Sequence, residues 1–149
     1  MQEIKAPNAI APQAGFKTLF LAGSIEMGAA ENWQEQVRRL MATRRVCLLN
    51  PRRDDWDSSW VQSGDNAQFR EQVEWELAAQ ERADHILMYF EPGTKSPISL
   101  LELGLFARSG KMRVVCPAGF WKKGNVDVVC ERYGVRRFST IEEAVNDFL

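Results

Sequence analysis

The chain has 149 residues, is 45% hydrophobic and 26% charged, and carries a net charge of −1 at neutral pH. That length suits one domain with a real core, and the balanced charge removes the global electrostatic case for nucleic acid or an anionic membrane as a partner. No apolar run approaches the roughly 18 residues of a membrane span.

In chain order, residues 1–15 are rich in Ala, Pro, Asn and Gln and read as a flexible N-terminal arm. They hold one early lysine, Lys5, and no apolar stretch of the kind a secretory leader needs. The folded domain is expected over 16–149. Residues 17–22 read as a short buried strand running into Gly23-Ser24, and 31–43 as a helix with Trp33, Val37 and Leu40 on one stripe. A second strand spans 45–49 and stops at Asn50-Pro51. A long helix spans 66–82, with Phe69, Val73, Leu77 and Gln80 at helical spacing. A third, fully apolar strand covers 85–90. The next helix covers 97–109, with Ser96 and Pro97 at N-cap and N1 and Gly110 as its stop. A fourth strand at 113–116, a short helix near 125–132 and a fifth strand near 135–138 follow. Thr140-Ile141-Glu142-Glu143 is a capping box that opens a last helix.

Continuous apolar strands alternating with helices argue for a parallel sheet covered on both faces. The expected fold is therefore α/β: a single three-layer, doubly wound, Rossmann- or flavodoxin-like domain with a parallel sheet of about five strands. Its ligand crevice lies beyond the C-terminal ends of the strands. Loops 23–30, 50–66, 91–96 and 117–124 are expected there.

Three cysteines, Cys47, Cys116 and Cys130, show no CxxC spacing and read as buried reduced thiols of a cytoplasmic protein. The single histidine, His85, opens an apolar strand and reads as structural. With one histidine and no acid-rich loop, neither a dedicated metal site nor a cofactor is expected.

The polar loops carry the chemistry. In the first, Gly23 leaves room for a ligand at the backbone. Gly23 and Gly28 do not make a GxGxxG, and Glu26 would repel a pyrophosphate. In the second, Asn50-Pro51-Arg52-Arg53-Asp54-Asp55-Trp56-Asp57-Ser58-Ser59-Trp60 packs cations, carboxylates and two tryptophans into eleven residues. Such a set can wall and hydrogen-bond a ring, or tuck the loop onto the core. In the long helix, Arg70, Glu71, Glu74, Glu76, Glu81 and Arg82 read mostly as a solvated face, and Asp84 as a local cap.

Glu102 lies between Leu101 and Leu103, where a buried charge is costly. In the second turn of its helix, the dipole would favour it by only about 0.3–1 kcal/mol. Ser96 and Ser99 precede it and could hold a hydroxyl or phosphate. A carboxylate paired with a second acid group is the minimal kit for attack at an anomeric carbon.

Leu21-Ala22-Gly23-Ser24, Asn50-Pro51-Arg52-Arg53-Asp54-Asp55-Trp56 and Ser96-Pro97-Ile98-Ser99-Leu100-Leu101-Glu102-Leu103-Gly104 resemble the nucleoside 2-deoxyribosyltransferase family, and more closely its bacterial deoxyribosyltransferase-like branch. The resemblance covers residue 17 to about 134. It implies that Glu102 is a nucleophile forming a covalent deoxyribosyl intermediate, which a second base or water resolves. It implies that Glu76 binds or protonates the base. Gly23, Ser24, Asn50, Arg53, Asp54, Asp55, Trp56, Asp84, Ser96 and Ser99 would line the substrate site. Where the family's transferases carry an acid a few positions before the nucleophile, this chain has Glu91-Pro92-Gly93-Thr94-Lys95-Ser96. That serine-rich helix start resembles relatives that cleave nucleoside 5′-monophosphates. The implied partner is a small nucleoside or nucleotide, and the implied assembly a homo-oligomer, a dimer or larger. Two other readings of the same residues are a non-catalytic nucleotide sensor and a hydrolase of NAD-like dinucleotides.

Overall fold

The computed structural model describes residues 1–25, 32–57 and 59–148. Apolar runs form the central strands: β2 (Lys17–Gly23), β3 (Val46–Asn50) and β4 (His85–Tyr89) are buried along nearly their whole length. β5 (Met112–Val115) and β6 (Arg136–Phe138) continue the sheet on one side, and β1 (Gln2–Lys5) closes it on the other. All pairings are parallel, in the order β1-β3-β2-β4-β5-β6.

The sheet thus has six strands rather than about five. The extra strand lies in the segment expected to be a flexible arm. Gln2 to Lys5 pair in register with Cys47 to Asn50, and Ile4 is buried in the core. The Gln2 side chain adds bonds to the backbone of Ala11 and Gln13, which folds the following turn back on the strand.

Among the described residues, five α-helices cover the two faces. α2 (Ala67–Arg82), α3 (Pro97–Phe106) and α4 (Lys123–Tyr133) pack on one, with Trp75, Ala79, Leu103, Val126 and Cys130 against Phe20, Leu49, Met88 and Val114. α1 (Trp33–Leu40) and α5 (Ile141–Asn146) cover the other, with Trp33, Val37, Ile141 and Val145 against Leu19, Leu21, Leu48 and Leu87. The capping box at Thr140 and Glu143 starts α5, and the left-handed Gly110 ends the turn that follows α3.

The buried face of α2 differs from the expected apolar stripe. Gln72, Trp75, Ala79 and Gln80 face inward while Val73 is exposed. The inward face includes polar positions because it borders a crevice. From β2 the chain steps to β3 on one side and later to β4 on the other. That reversal leaves an opening beyond the C-terminal ends of β2 and β4, where open α/β sheets bind ligands.

Candidate active site

The crevice is built around a close approach of two strands. At Gly23, φ is 137° and a Cβ would lie 2.2 Å from the Tyr89 carbonyl oxygen. Glycine is required here by the neighbouring strand, whatever else its backbone contacts. Ser24 follows, its N–H donating to the same carbonyl at 3.0 Å. The Trp33 indole N–H donates to the Ser24 carbonyl at 3.0 Å and braces the turn from the α1 side.

The Ser24 hydroxyl lies 2.6 Å from that of Ser96 and 3.1 Å from that of Thr94, which are 2.8 Å from each other. All three residues are buried. Ser24 Oγ also accepts from the Glu91 N–H at 2.9 Å, and Thr94 donates to the Glu91 carbonyl at 2.8 Å. This hydroxyl triangle ties the end of β2 to the loop after β4. It explains why Ser96, the N-cap residue of α3, sits at φ 45° without capping the helix through its side chain. Ser24 and Ser96, expected to line the substrate site, are hydrogen-bonded to each other and to Thr94. Thr94 went unnoticed in the sequence, since a lone loop threonine carries no pattern.

With its start so fixed, α3 turns Ser99, Glu102 and Leu103 inward. Glu102 is 8% exposed and Ser99 5%. Neither side chain has a hydrogen-bond or ion-pair partner among the described residues. Burial pushes the Glu102 carboxyl up to about 8, and the Glu76 carboxylate adds to the shift. Glu76, half-buried on α2, is itself pushed up to about 7 by burial, against the opposing effect of a hydrogen bond from Gln72. Residues from two helices therefore bring two desolvated carboxyl groups into electrostatic contact. Such a pair holds protons at neutral pH and titrates as a unit.

The second loop is more self-contained than expected. The Arg53 guanidinium donates to Asp55 at 3.0 and 3.1 Å and to Glu71 at 3.0 Å, and lies 5.0 Å from the Trp60 ring centroid. Its side chain is only 5% exposed. Trp56 stacks edge-on against Trp60 with centroids 5.0 Å apart. Asp54 pairs with Lys5 of β1 at 2.9 Å. Asn50 is buried at the end of β3, donating to Glu3 at 2.8 Å and accepting from the Arg52 N–H at 3.0 Å. These residues shape the rim through contacts with one another.

Asp84 lies at the other end of the sheet. It precedes β4 and accepts from the Thr18 N–H and hydroxyl at 2.8 and 3.0 Å, tying the N-terminal ends of β2 and β4 together. Asp84 is thus a strand clasp, distant from the crevice by the length of the strand. Glu26 and Gly28 of the first loop lie outside the described residues. A separate, mostly apolar cavity of ≈ 330 Å³ opens between α3 and α4, lined by Leu100, Leu103, Trp121 and Val129 among others. The paired acids do not line it. Among the described residues no group of three or more His, Cys, Asp or Glu is placed to hold a metal ion.

Residues 17–120 match the family described as nucleoside 2-deoxyribosyltransferase like. The chain belongs to the nucleoside 2-deoxyribosyltransferase-like family. The match spans β2 to the turn after β5 and so includes Glu76, Glu102 and the hydroxyl triangle. Membership in this family points to an enzyme of glycosyl transfer on nucleosides, with a small-molecule partner. Among solved structures, a conserved protein from Enterococcus faecalis V583 superposes with a TM-score of 0.61 at 13% identity, covering 90% of this chain and 99% of that one. That likeness concerns the fold, which agrees with a Rossmann- or flavodoxin-like arrangement. Among curated proteins none matches the chain. No helix among the described residues is long and apolar enough to cross a membrane.

Proposed function

We propose that this protein cleaves the N-glycosidic bond of a 2-deoxynucleoside or its 5′-monophosphate through a covalent glycosyl-Glu102 intermediate. The observation that carries the reading is the Glu76–Glu102 pair: two desolvated carboxyls from different helices, one of them without a hydrogen-bond partner among the described residues. A structural carboxylate in such a place would be expected to have a cation or a set of amides beside it.

The chemistry follows from one proton shared by the pair. In the reactive form, the less populated of the two singly protonated arrangements because Glu102 is raised further than Glu76, Glu102 is ionised and Glu76 protonated. A Glu102 oxygen bonds to the anomeric carbon as the C1′–N bond breaks. The bonding electrons leave with the base, and Glu76 gives the base its proton. Positive charge developing at the sugar favours the anionic form of Glu102 in a site that otherwise disfavours it. In the second half, water or another base attacks the same carbon, Glu76 accepts the proton, and Glu102 is released. Two displacements give net retention.

Ser99, one turn before Glu102, is the hydroxyl suited to a sugar or phosphate oxygen, since Ser24 and Ser96 hold each other. Arg52 through Trp56 form the rim on the base side. Asn50, Asp54 and Asp55 act by fixing that rim.

The helix that carries Glu102 also leaves Ile98, Leu101 and Leu105 more than half exposed. Their i, i+3, i+7 spacing makes a single apolar stripe beside the Glu102 face. A homo-oligomer with this stripe in its interface accords with the family resemblance. Base release from a panel of deoxynucleosides, ribonucleosides and their 5′-monophosphates, followed by chromatography, tests the activity. Wild type should release base from at least one deoxy substrate, and Glu102→Gln from none. Equal release by both would rule out the nucleophile.

A further inference from the structure

Gln72 is 6% exposed on α2, one turn before Glu76. Its side-chain nitrogen donates to the Pro51 carbonyl at 2.7 Å and to Glu76 Oε1 at 2.7 Å. Its side-chain oxygen is buried with no hydrogen-bond partner. The Pro51 carbonyl can only accept, so the amide must present its nitrogen to it. The orientation is therefore dictated by the network.

An amide that uses both donors and orphans its acceptor is a poor choice for packing alone. A methionine of similar length would fill the same space without a stranded oxygen. What the amide supplies, and an apolar side chain could not, is a bridge between the backbone of the loop after β3 and one oxygen of Glu76.

We infer that Gln72 is a positioning residue: it clamps Glu76 to the Pro51 turn and, by occupying Oε1, leaves Oε2 as the oxygen that carries and transfers the proton. The inference rests on the proposed glycosidic role of Glu76. Two consequences follow from the geometry. The acid and the Arg52–Trp56 rim are held in one register, so a base seated against the rim meets an oriented proton. An N–H donor to a carboxyl also favours its ionised form, so Gln72 keeps Glu76 a stronger acid than its burial alone would. That is the range in which a general acid at neutral pH works well. Among the described residues, the charged group from another element that is electrostatically coupled to Glu76 is Glu102 of α3. On α2 itself, Gln80 donates to the Glu76 backbone carbonyl at 3.3 Å.

The test reads the clamp directly and needs no turnover. In a Glu102→Gln background, so that a single carboxyl of the pair titrates, the Glu76 carboxyl carbon and the Gln72 side-chain amide are followed by NMR from pH 5 to 9. The Gln72 amide signals should shift with the Glu76 midpoint, and that dependence should vanish in Glu76→Gln. Adding Gln72→Met should raise the Glu76 midpoint by about half a unit or more. Amide signals that stay flat through the Glu76 titration, or a midpoint unmoved in a folded Gln72→Met protein, would overturn the clamp. The amide measurement needs only Gln72 in place, so a Gln72→Met chain that fails to fold leaves the test standing. Base release by the otherwise wild-type chain is measured in parallel. If none occurs while Gln72 tracks Glu76, the glycosidic reading fails and the clamp survives.

Discussion

The hydroxyl of Ser24, just past β2, lies 2.6 Å from the hydroxyl of Ser96, which starts α3. Through this contact the end of one central strand sets where the Glu102 helix begins. Removing the Ser24 hydroxyl strands the Glu91 N–H, which donates to it at 2.9 Å, and unties Ser96 and Thr94. Ser24→Ala should cost about 1–3 kcal/mol, read as a lower urea midpoint at an unchanged slope. Activity should fall further than stability explains, because Glu102 loses its register.

Gly23 offers a harder test of the same junction. Alanine there would place its Cβ 2.2 Å from the Tyr89 carbonyl oxygen at a φ of 137°. The obstacle is backbone, which cannot rotate away. Gly23→Ala should cost about 3 kcal/mol or more, measured by urea denaturation. A loss below about 0.5 kcal/mol would show that the strands can separate at this point.

The buried acids make stability depend on pH with a definite sign. Glu102 is raised from 4.5 to about 8 in the folded protein, so the native state holds a proton that the unfolded chain has released. Its burial costs nothing below about pH 4.5, costs progressively more between 4.5 and 8, and costs its full amount above. Glu102→Gln should therefore match wild type near pH 4 and exceed it at pH 9, by up to about 5 kcal/mol. Urea midpoints at the two pH values check this.

Catalysis should depend on pH through the pair. With Glu76 raised to about 7 and Glu102 to about 8, the singly protonated pair is most populated between those values. The rate, followed as kcat/KM, should be bell-shaped with its maximum near the midpoint of that range. In Glu76→Gln the bell should lose one limb and the maximal rate should drop by about 10²–10⁴.

The exposed Ile98, Leu101 and Leu105 stripe is expected to lie in an interface between copies. Leu101→Glu should reduce the mass measured by light scattering to that of a single chain, with circular dichroism unchanged. A wild-type protein that is already one chain at micromolar concentration would remove this stripe from the assembly.

Much of this architecture was legible in the sequence because it rests on apolar continuity. β2 to β5 are runs that only a sheet covered on both faces buries well. β1 was not legible: Gln2-Glu3-Ile4-Lys5 has a single buried apolar residue and pairs on one side only. Glu102 stood out because a carboxylate among leucines has no bland explanation. Gln72 stayed hidden, and Glu76 stood out only through the family resemblance, since polar residues at four-residue spacing look like a solvated helix face. The distinction appears only when α2 is placed over the switch point. Arg53 and Asp55 illustrate the opposite case. Their charges suggested ligand contacts, and the sequence did not show that the two also pair with each other within the loop. Asp84 was legible as a local cap from its place just before β4, and its contacts with Thr18 agree with that reading rather than with the substrate contact the resemblance implies.

The most direct measurement is the mass of the intact protein after brief incubation with deoxynucleosides and deoxynucleoside monophosphates at pH 7.5. A covalent route gives an added mass equal to a deoxyribosyl group, or its phosphate, on the peptide that carries Glu102. The addition should be absent in Glu102→Gln and should disappear as free sugar or exchanged nucleoside forms. Base release without any adduct under rapid quench, or an adduct retained in Glu102→Gln, would show that Glu102 is not the nucleophile.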